Sequence, residues 1–243
     1  MDKSSCQLKG LVRSELSGWT LSEVTWLLFC CVLVIGLSWP FDTWIGIMSA
    51  ATGVINVILN GKGKLSAYAF GLINIILYTY ISIENKFYGT ALLYSLYFFP
   101  MNIYGFFAWK RHLNPETFEV EKRRVTAKWR WFIVGSVVCL TCAGGIILQR
   151  LQGNLPFLDA FITSLSVAAM AASVKRCLEQ WVLWLIADAA TVCMWGVDYS
   201  CGGANLATLL MWIVFLINGV IMYFRWAAEI RKQETTAAAA AIL

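Results

Sequence analysis

Gln180, Trp181, Trp184, Asp188, Thr191 and Trp195 are spaced so that an α-helix would gather them within about 100 degrees of arc. Three indoles, an amide, a hydroxyl and a carboxylate then share one face. Such a face can stack on a planar ring, attract a cation through the indole π-systems, and hydrogen-bond amide or hydroxyl groups. It lies in an apolar run, where an ionised acid costs on the order of several kcal/mol unless paired or hydrated. Asp188 is therefore expected to border a polar cavity near mid-membrane. A hydrogen bond that merely joins two helices is the plainer alternative for one buried acid; Trp181 and Trp184 on the same face favour the cavity.

Other amides repeat the pattern. Asn74 follows Phe70 by one helical turn, Tyr94, Phe98 and Asn102 stand at spacings of four, and Asn218 follows Trp212 and Phe215. A buried amide offers two donors and an acceptor with two lone pairs, which suits a polyhydroxylated or amide-bearing solute. Phe98 can wall a ring site or simply pack. Thr163 shares a helix face with Asp159 and Ser166 and is expected to line the site, whereas Asp159 is either a mouth residue or a charge at a helix N-terminus. Trp39, Trp44, Trp109 and Trp226 read as anchors at the membrane interface.

The elements that must position these residues are membrane spans. Of the 243 residues, 59% are hydrophobic and 14% charged, against about 25% charged in an ordinary soluble domain. Apolar runs predict eight spans, at 24–39, 41–60, 65–83, 88–109, 129–148, 157–174, 178–198 and 204–226. The first is the shortest, bounded by Glu23 and the Trp39-Pro40 pair; it is expected to be an uncleaved transmembrane helix, with an interfacial helix as the alternative. With eight spans both termini share one side, and all but Lys86 and Arg150 of the 19 lysines and arginines fall there. That side is expected to be cytoplasmic, and the net charge of +5 calls for no nucleic-acid partner.

Several chemistries lack their residues. The only histidine, His112, has no companion ligands, so no metal or cofactor is expected. The eight cysteines sit mostly in apolar runs as small hydrophobes, and no phosphate-binding glycine loop supports ATP hydrolysis. An intramembrane enzyme built on Asp159 and Asp188 is disfavoured because the two acids stand on different helices at different depths, with no metal-ligand cluster beside them.

A weak internal repeat is present. The run from Lys64 to Asn74 can be laid on Leu178 to Asp188 at an offset of 114, and Tyr97 to Asn102 on Ile213 to Asn218 at 116, with Trp109 and Trp226 following. A displacement of four helices makes the copies parallel. The expected fold is an all-α membrane protein of eight transmembrane helices, a seven-helix core of three-plus-one-plus-three plan behind one extra N-terminal helix. Its segments are the N-terminus and extra helix (1–40), the first repeat (41–110), a loop and connector helix (111–156), the second repeat (157–228) and a tail (229–243). The linker from His112 to Lys128 reads as a solvated loop or short surface helix, and the run from Thr235 to Leu243 as an appended tail outside the fold.

Four stretches carry a resemblance: Phe70-Gly71-Leu72-Ile73-Asn74, Asn102-Ile103-Tyr104-Gly105-Phe106-Phe107-Ala108-Trp109, Glu179-Gln180-Trp181-Val182-Leu183-Trp184-Leu185-Ile186-Ala187-Asp188, and Leu216-Ile217-Asn218-Gly219. Together they resemble the PnuC family of bacterial nicotinamide riboside transporters. The resemblance implies a core similar in plan to the sugar-transporting SWEET proteins, a homotrimer in the bacterial inner membrane, and facilitated diffusion. It also implies vitamin B3 uptake for NAD biosynthesis, sustained by a cytoplasmic ribosylnicotinamide kinase. The chain departs from the pattern in its extra first helix and in Asp188, where relatives of the family can have asparagine. The expected substrate-binding set is Trp181, Trp184, Asp188, Gln180, Asn74, Phe70, Tyr94, Phe98, Asn102, Asn218 and Thr163. The alternative is a proton-coupled carrier of another small aromatic vitamin or nucleoside, with Asp188 titrating.

Overall fold

The computed structural model describes residue 15 and residues 18–112 and 122–240. Among the described residues eight helices are long and apolar enough to cross a membrane. They are α1 (Leu21–Ser38), α2 (Trp44–Lys62), α3 (Ala67–Glu84), α4 (Tyr88–Lys110), α5 (Ala127–Arg150), α6 (Pro156–Val174), α7 (Glu179–Ser200) and α8 (Leu206–Ala240).

Local chemistry sets the ends. Glu23, expected to bound the first span, lies inside α1 because it completes a capping box: its carboxylate accepts the Thr20 amide at 2.8 Å and the Thr20 hydroxyl accepts the Glu23 amide at 3.3 Å. Thr43 caps α2 in the same way through the Gly46 amide, and Gly63, at φ 80°, closes its far end. Pro156 opens α6, where its missing N–H costs nothing. α8 runs unbroken to Ala240, through an alanine run of the highest helix propensity.

α4 is not regular. Its residues Leu93–Phe98 form a π-helical turn between two α-helical pieces. Pro100 follows it, and a proline ring in a regular helix would collide with the carbonyl four residues earlier. The wide turn relieves that collision within the helix.

Six helices close into a ring. α2 packs on α3 and α8, α6 packs on α7 and α4, and the α3–α4 and α7–α8 contacts complete it. α1 lies outside the ring against α2 and α8, and α5 lies outside against α6 and the start of α4.

The two ends of the ring are held differently. At the end opposite the basic loops, the Asp159 carboxylate accepts the amides of Gly89 (2.8 Å) and Thr90 (2.9 Å) and the Thr90 hydroxyl (2.6 Å), so α6 caps the start of α4. Asp42, just before α2, accepts the Ala207 amide at 2.7 Å at the start of α8. Burial pushes the Asp42 carboxyl up, against the opposing pull of the amide hydrogen bonds from Ala207 and Thr43.

At the basic end Trp109 and Trp226 correct the expectation of interface anchors, for both indoles are fully buried. Trp109 donates to the Ser173 carbonyl at 3.3 Å and Trp226 to the Gly61 carbonyl at 2.9 Å. Trp39 and Trp44 are exposed and pack edge to face at 4.5 Å, as anchors would. Around Trp226 runs an ionic chain: Glu23 with Lys62 at 2.7 Å, Glu23 with Arg225, Arg225 with Glu229, and Glu229 with Lys122. The described part of the linker is extended and anchored, Arg123 pairing with Arg176 and Leu178 through two backbone hydrogen bonds of 3.0 and 2.8 Å. Residues 113–121 of that linker lie outside the described residues.

Candidate functional site

Inside the ring a cavity runs from the middle of the helices toward the basic end. α7 supplies Trp181, Trp184 and Asp188 to its lining; α3 supplies Tyr68, Gly71 and Asn74; α4 supplies Tyr94, Phe98 and Asn102. α2 adds Asn56 and Asn60, α6 Met170 and Ser173, and α8 Trp212 and Phe215. Aromatic rings and neutral amides therefore dominate, with one carboxylate; no lysine or arginine lines the cavity among the described residues.

Each polar group is held at close quarters. Asn74 donates to the Ser49 carbonyl at 2.8 Å, and both approach α8 because Gly53 has no side chain: a Cβ there would lie 2.8 Å from Asn74 Nδ2 and 2.6 Å from Met211 Sδ. Asn56 and Asn102 converge over Gly71, whose added Cβ would lie 2.9 Å from Asn56 Oδ1 and 2.7 Å from Asn102 Nδ2. Asp188 is buried, and its Oδ1 has no hydrogen-bond partner among the described residues. A buried oxygen left in that state is costly, and Asp188 is one of the residues that line the cavity.

The rings form a wall and a lid. Trp184 is half-buried and meets Phe98 at 6.0 Å and 67°, while Phe98 tilts against Tyr94 at 4.7 Å. Away from the basic end the fully buried Tyr78 hydroxyl accepts the indole N–H groups of Trp195 (2.8 Å) and Trp212 (3.0 Å), and Phe87 packs on Trp195 at 4.9 Å. This cluster shuts the cavity off from that end. Tyr78→Phe leaves two buried indole donors unpaired, and thermal unfolding in detergent is expected to register a loss of about 2 kcal/mol, within the cost of unmet buried donors.

Residues 43–228 match the family described as the nicotinamide mononucleotide transporter. The chain belongs to that family. Its relatives include the nicotinamide riboside transporter PnuC of Neisseria mucosa, 33% identical over 226 residues, covering 90% of this chain and 86% of that protein. The PnuC of Haemophilus influenzae is 29% identical over 233 residues, covering 91% and 96%. The crystal structure of the vitamin B3 transporter PnuC superposes with a TM-score of 0.82 at 32% identity, covering 92% of this chain and 98% of that one. Membership makes the chain a multi-pass membrane transporter and not an enzyme, which agrees with Asp159 being spent on the start of α4 rather than paired with Asp188.

In this member of the NMN transporter family, seven of the eleven expected site residues meet at the cavity: Trp181, Trp184, Asp188, Asn74, Tyr94, Phe98 and Asn102. Gln180, Phe70, Asn218 and Thr163 do not line it. Gln180 is fully buried beside Trp181, and Asn218 donates to the Val57 carbonyl at 3.2 Å, joining α8 to α2. The Thr163 hydroxyl is buried without a partner among the described residues. Asn56 and Asn60 were missed; their spacing of four in an apolar helix, the same cue that marks Phe98 and Asn102, would have found them.

Gly71 offers a direct test of the amide pair. Gly71→Ala is expected to push Asn56 and Asn102 apart by several tenths of an ångström and to weaken binding of the transported solute about tenfold, the equivalent of one misplaced hydrogen bond. Calorimetry reads the loss, and an unchanged melting temperature separates it from unfolding.

Proposed function

We propose that the chain carries nicotinamide riboside across the bacterial inner membrane by facilitated diffusion, with both termini in the cytoplasm. The observation that carries this reading is the cavity lining: indole faces for a cationic pyridinium, amides for a carboxamide and ribose hydroxyls, one carboxylate of opposite charge, and no basic group. The absence of lysine and arginine among the described lining residues favours the riboside over the mononucleotide, whose phosphate calls for such a partner.

Trp184 and Trp181 stack on the ring in this reading, Asp188 faces its charge or its hydroxyls, and Asn74, Asn102 and Asn56 meet the remaining polar groups. Transport proceeds by alternating access between α2–α4 and α6–α8. Support comes from contacts in matched positions: Asp42 and Asp159, Ala207 and Thr90, and Trp226 and Trp109 all differ by 117 in number, and each contact joins one triplet of helices to the other. Two parallel three-helix repeats, with α5 between them and α1 in front, account for that regularity. Phosphorylation of the riboside in the cytoplasm sustains net uptake, and the working unit is a homotrimer.

Uptake of labelled nicotinamide riboside into proteoliposomes tests the proposal. Saturable uptake without an ion gradient, and no uptake of the mononucleotide, is expected. A strict requirement for a proton gradient would instead favour the proton-coupled alternative, with Asp188 as the titrating group.

A further inference from the structure

A second concavity lies on the outside of the ring, between α5 and α6. The two helices touch where glycine permits it: a Cβ on Gly145 would lie 2.3 Å from the Phe157 ring, and one on Gly144 would lie 3.3 Å from the Ala160 Cβ. Toward the basic end the space between them is open. Its floor is made of small side chains, Ser164, Ala168 and Ala171, and its wall of Ile133, Val137 and Leu140. Arg123, Arg124 and Lys175 form its rim, with the Lys175 ammonium 5.5 Å above the exposed Trp129 ring.

Among the described residues the charge at this rim is one-sided. No carboxylate lines the groove among the described residues. Glu179 is taken by the Val125 amide and the Arg130 guanidinium, both at 2.8 Å, and Glu234 meets Arg124 only at 3.7 Å between two exposed side chains. Arg123 is fixed in place by its Nε donating to the Lys175 carbonyl at 2.7 Å, which brings two of the three cations together from separate segments of the chain.

We infer that the groove is a binding site for an anionic glycerophospholipid in the leaflet at the basic end, with its phosphate on the Arg123–Arg124–Lys175 rim and an acyl chain along the α5–α6 wall. Length supports a lipid over a soluble anion. From Trp129 to Leu140 the helix rises about 17 Å, close to the roughly 15 Å of one leaflet's hydrocarbon, and its groove-lining residues over that distance are apolar apart from Ser136. Basic pockets between helices with this layout suit anionic headgroups. α5 also needs a cover, since only 17% of its span is buried within the fold. The inference stands independently of the substrate.

Native mass spectrometry of the detergent-purified protein tests it, with phosphatidylglycerol and phosphatidylcholine of the same chains as probes. The wild type is expected to retain phosphatidylglycerol selectively. The combined Arg123→Gln, Arg124→Gln and Lys175→Gln variant should retain at least about tenfold less, and Ala168→Phe, which fills the floor and leaves the rim intact, should lose it too, while nicotinamide riboside binding persists in both. Equal retention of the two lipids by the wild type overturns the site without any variant. Displacement of phosphatidylglycerol by millimolar inorganic phosphate would overturn the lipid assignment in favour of a soluble anion. Loss of the oligomer on Ala168→Phe, with lipid retention unchanged, would assign the face to a second copy of the chain.

Discussion

Trp184→Ala is expected to weaken nicotinamide riboside binding about 30-fold in titration calorimetry. A desolvated cation over an indole gains about 2 kcal/mol, and each 1.4 kcal/mol is a factor of ten. Trp184 is the cleaner of the two tryptophans to change. Trp181 packs edge to face on Trp226 at 5.6 Å, and Trp226 in turn ties α8 to α2, so removing Trp181 mixes binding with folding. Trp184 is half-buried with one face on the cavity, and its truncation should cost less stability than the 3 to 5 kcal/mol, roughly, of a fully buried ring. Trp184→Phe keeps a ring with a weaker π-face and should recover part of the affinity. Unchanged affinity in Trp184→Ala would remove this residue from the binding site.

The largest stability effect is expected at Asp159. Its carboxylate accepts three hydrogen bonds, two of them from backbone amides at the start of α4, where the helix dipole favours negative charge. Asp159→Ala strands both amides away from water at about 1 to 3 kcal/mol each. A melting temperature lowered by about 10 °C in detergent is the corresponding shift for a chain of this size. Asp159→Asn should recover less than half of the loss, because its amide nitrogen turns a donor toward a donor at one of the two backbone positions. Asp42→Ala should cost about a third as much, since Asp42 reaches across to α8 through the single Ala207 amide. Equal shifts in Asp42→Ala and Asp159→Ala would show that cross-helix hydrogen bonding does not set the difference.

The eight helices were legible because each lies in an apolar run bounded by charge or by Gly and Pro, and the observed ends differ from the expected ones by a few residues except at α8. The face of α7 was legible as well, since helical period alone groups Trp181, Trp184 and Asp188. That period cannot say which neighbour a face meets. Asn218 follows aromatic residues in sequence much as Asn74 does, yet it does not line the cavity, and its amide nitrogen donates to the Val57 carbonyl. Trp109 and Trp226 illustrate another ambiguity: a tryptophan one turn from a basic loop looks the same in sequence whether its N–H meets water or a carbonyl of a neighbouring helix. The π-helical turn of α4 had only Pro100 as its signal, and a proline is equally compatible with a kink.

That turn sets the phase of α4. A regular helix advances about 100 degrees per residue, so the wide stretch from Leu93 to Phe98 acts as a one-residue insertion between the half of α4 held by Asp159 and the half that bears Asn102. Deleting a single residue there would leave a shorter, more regular helix. Its far half would stay in phase; winding the same stretch as regular α-helix with no residue removed would instead rotate that half by about 100 degrees, carrying Asn102 off the cavity and Trp109 away from the Ser173 carbonyl at once. The same helix thus keeps its two ends in register only by tolerating an irregular middle.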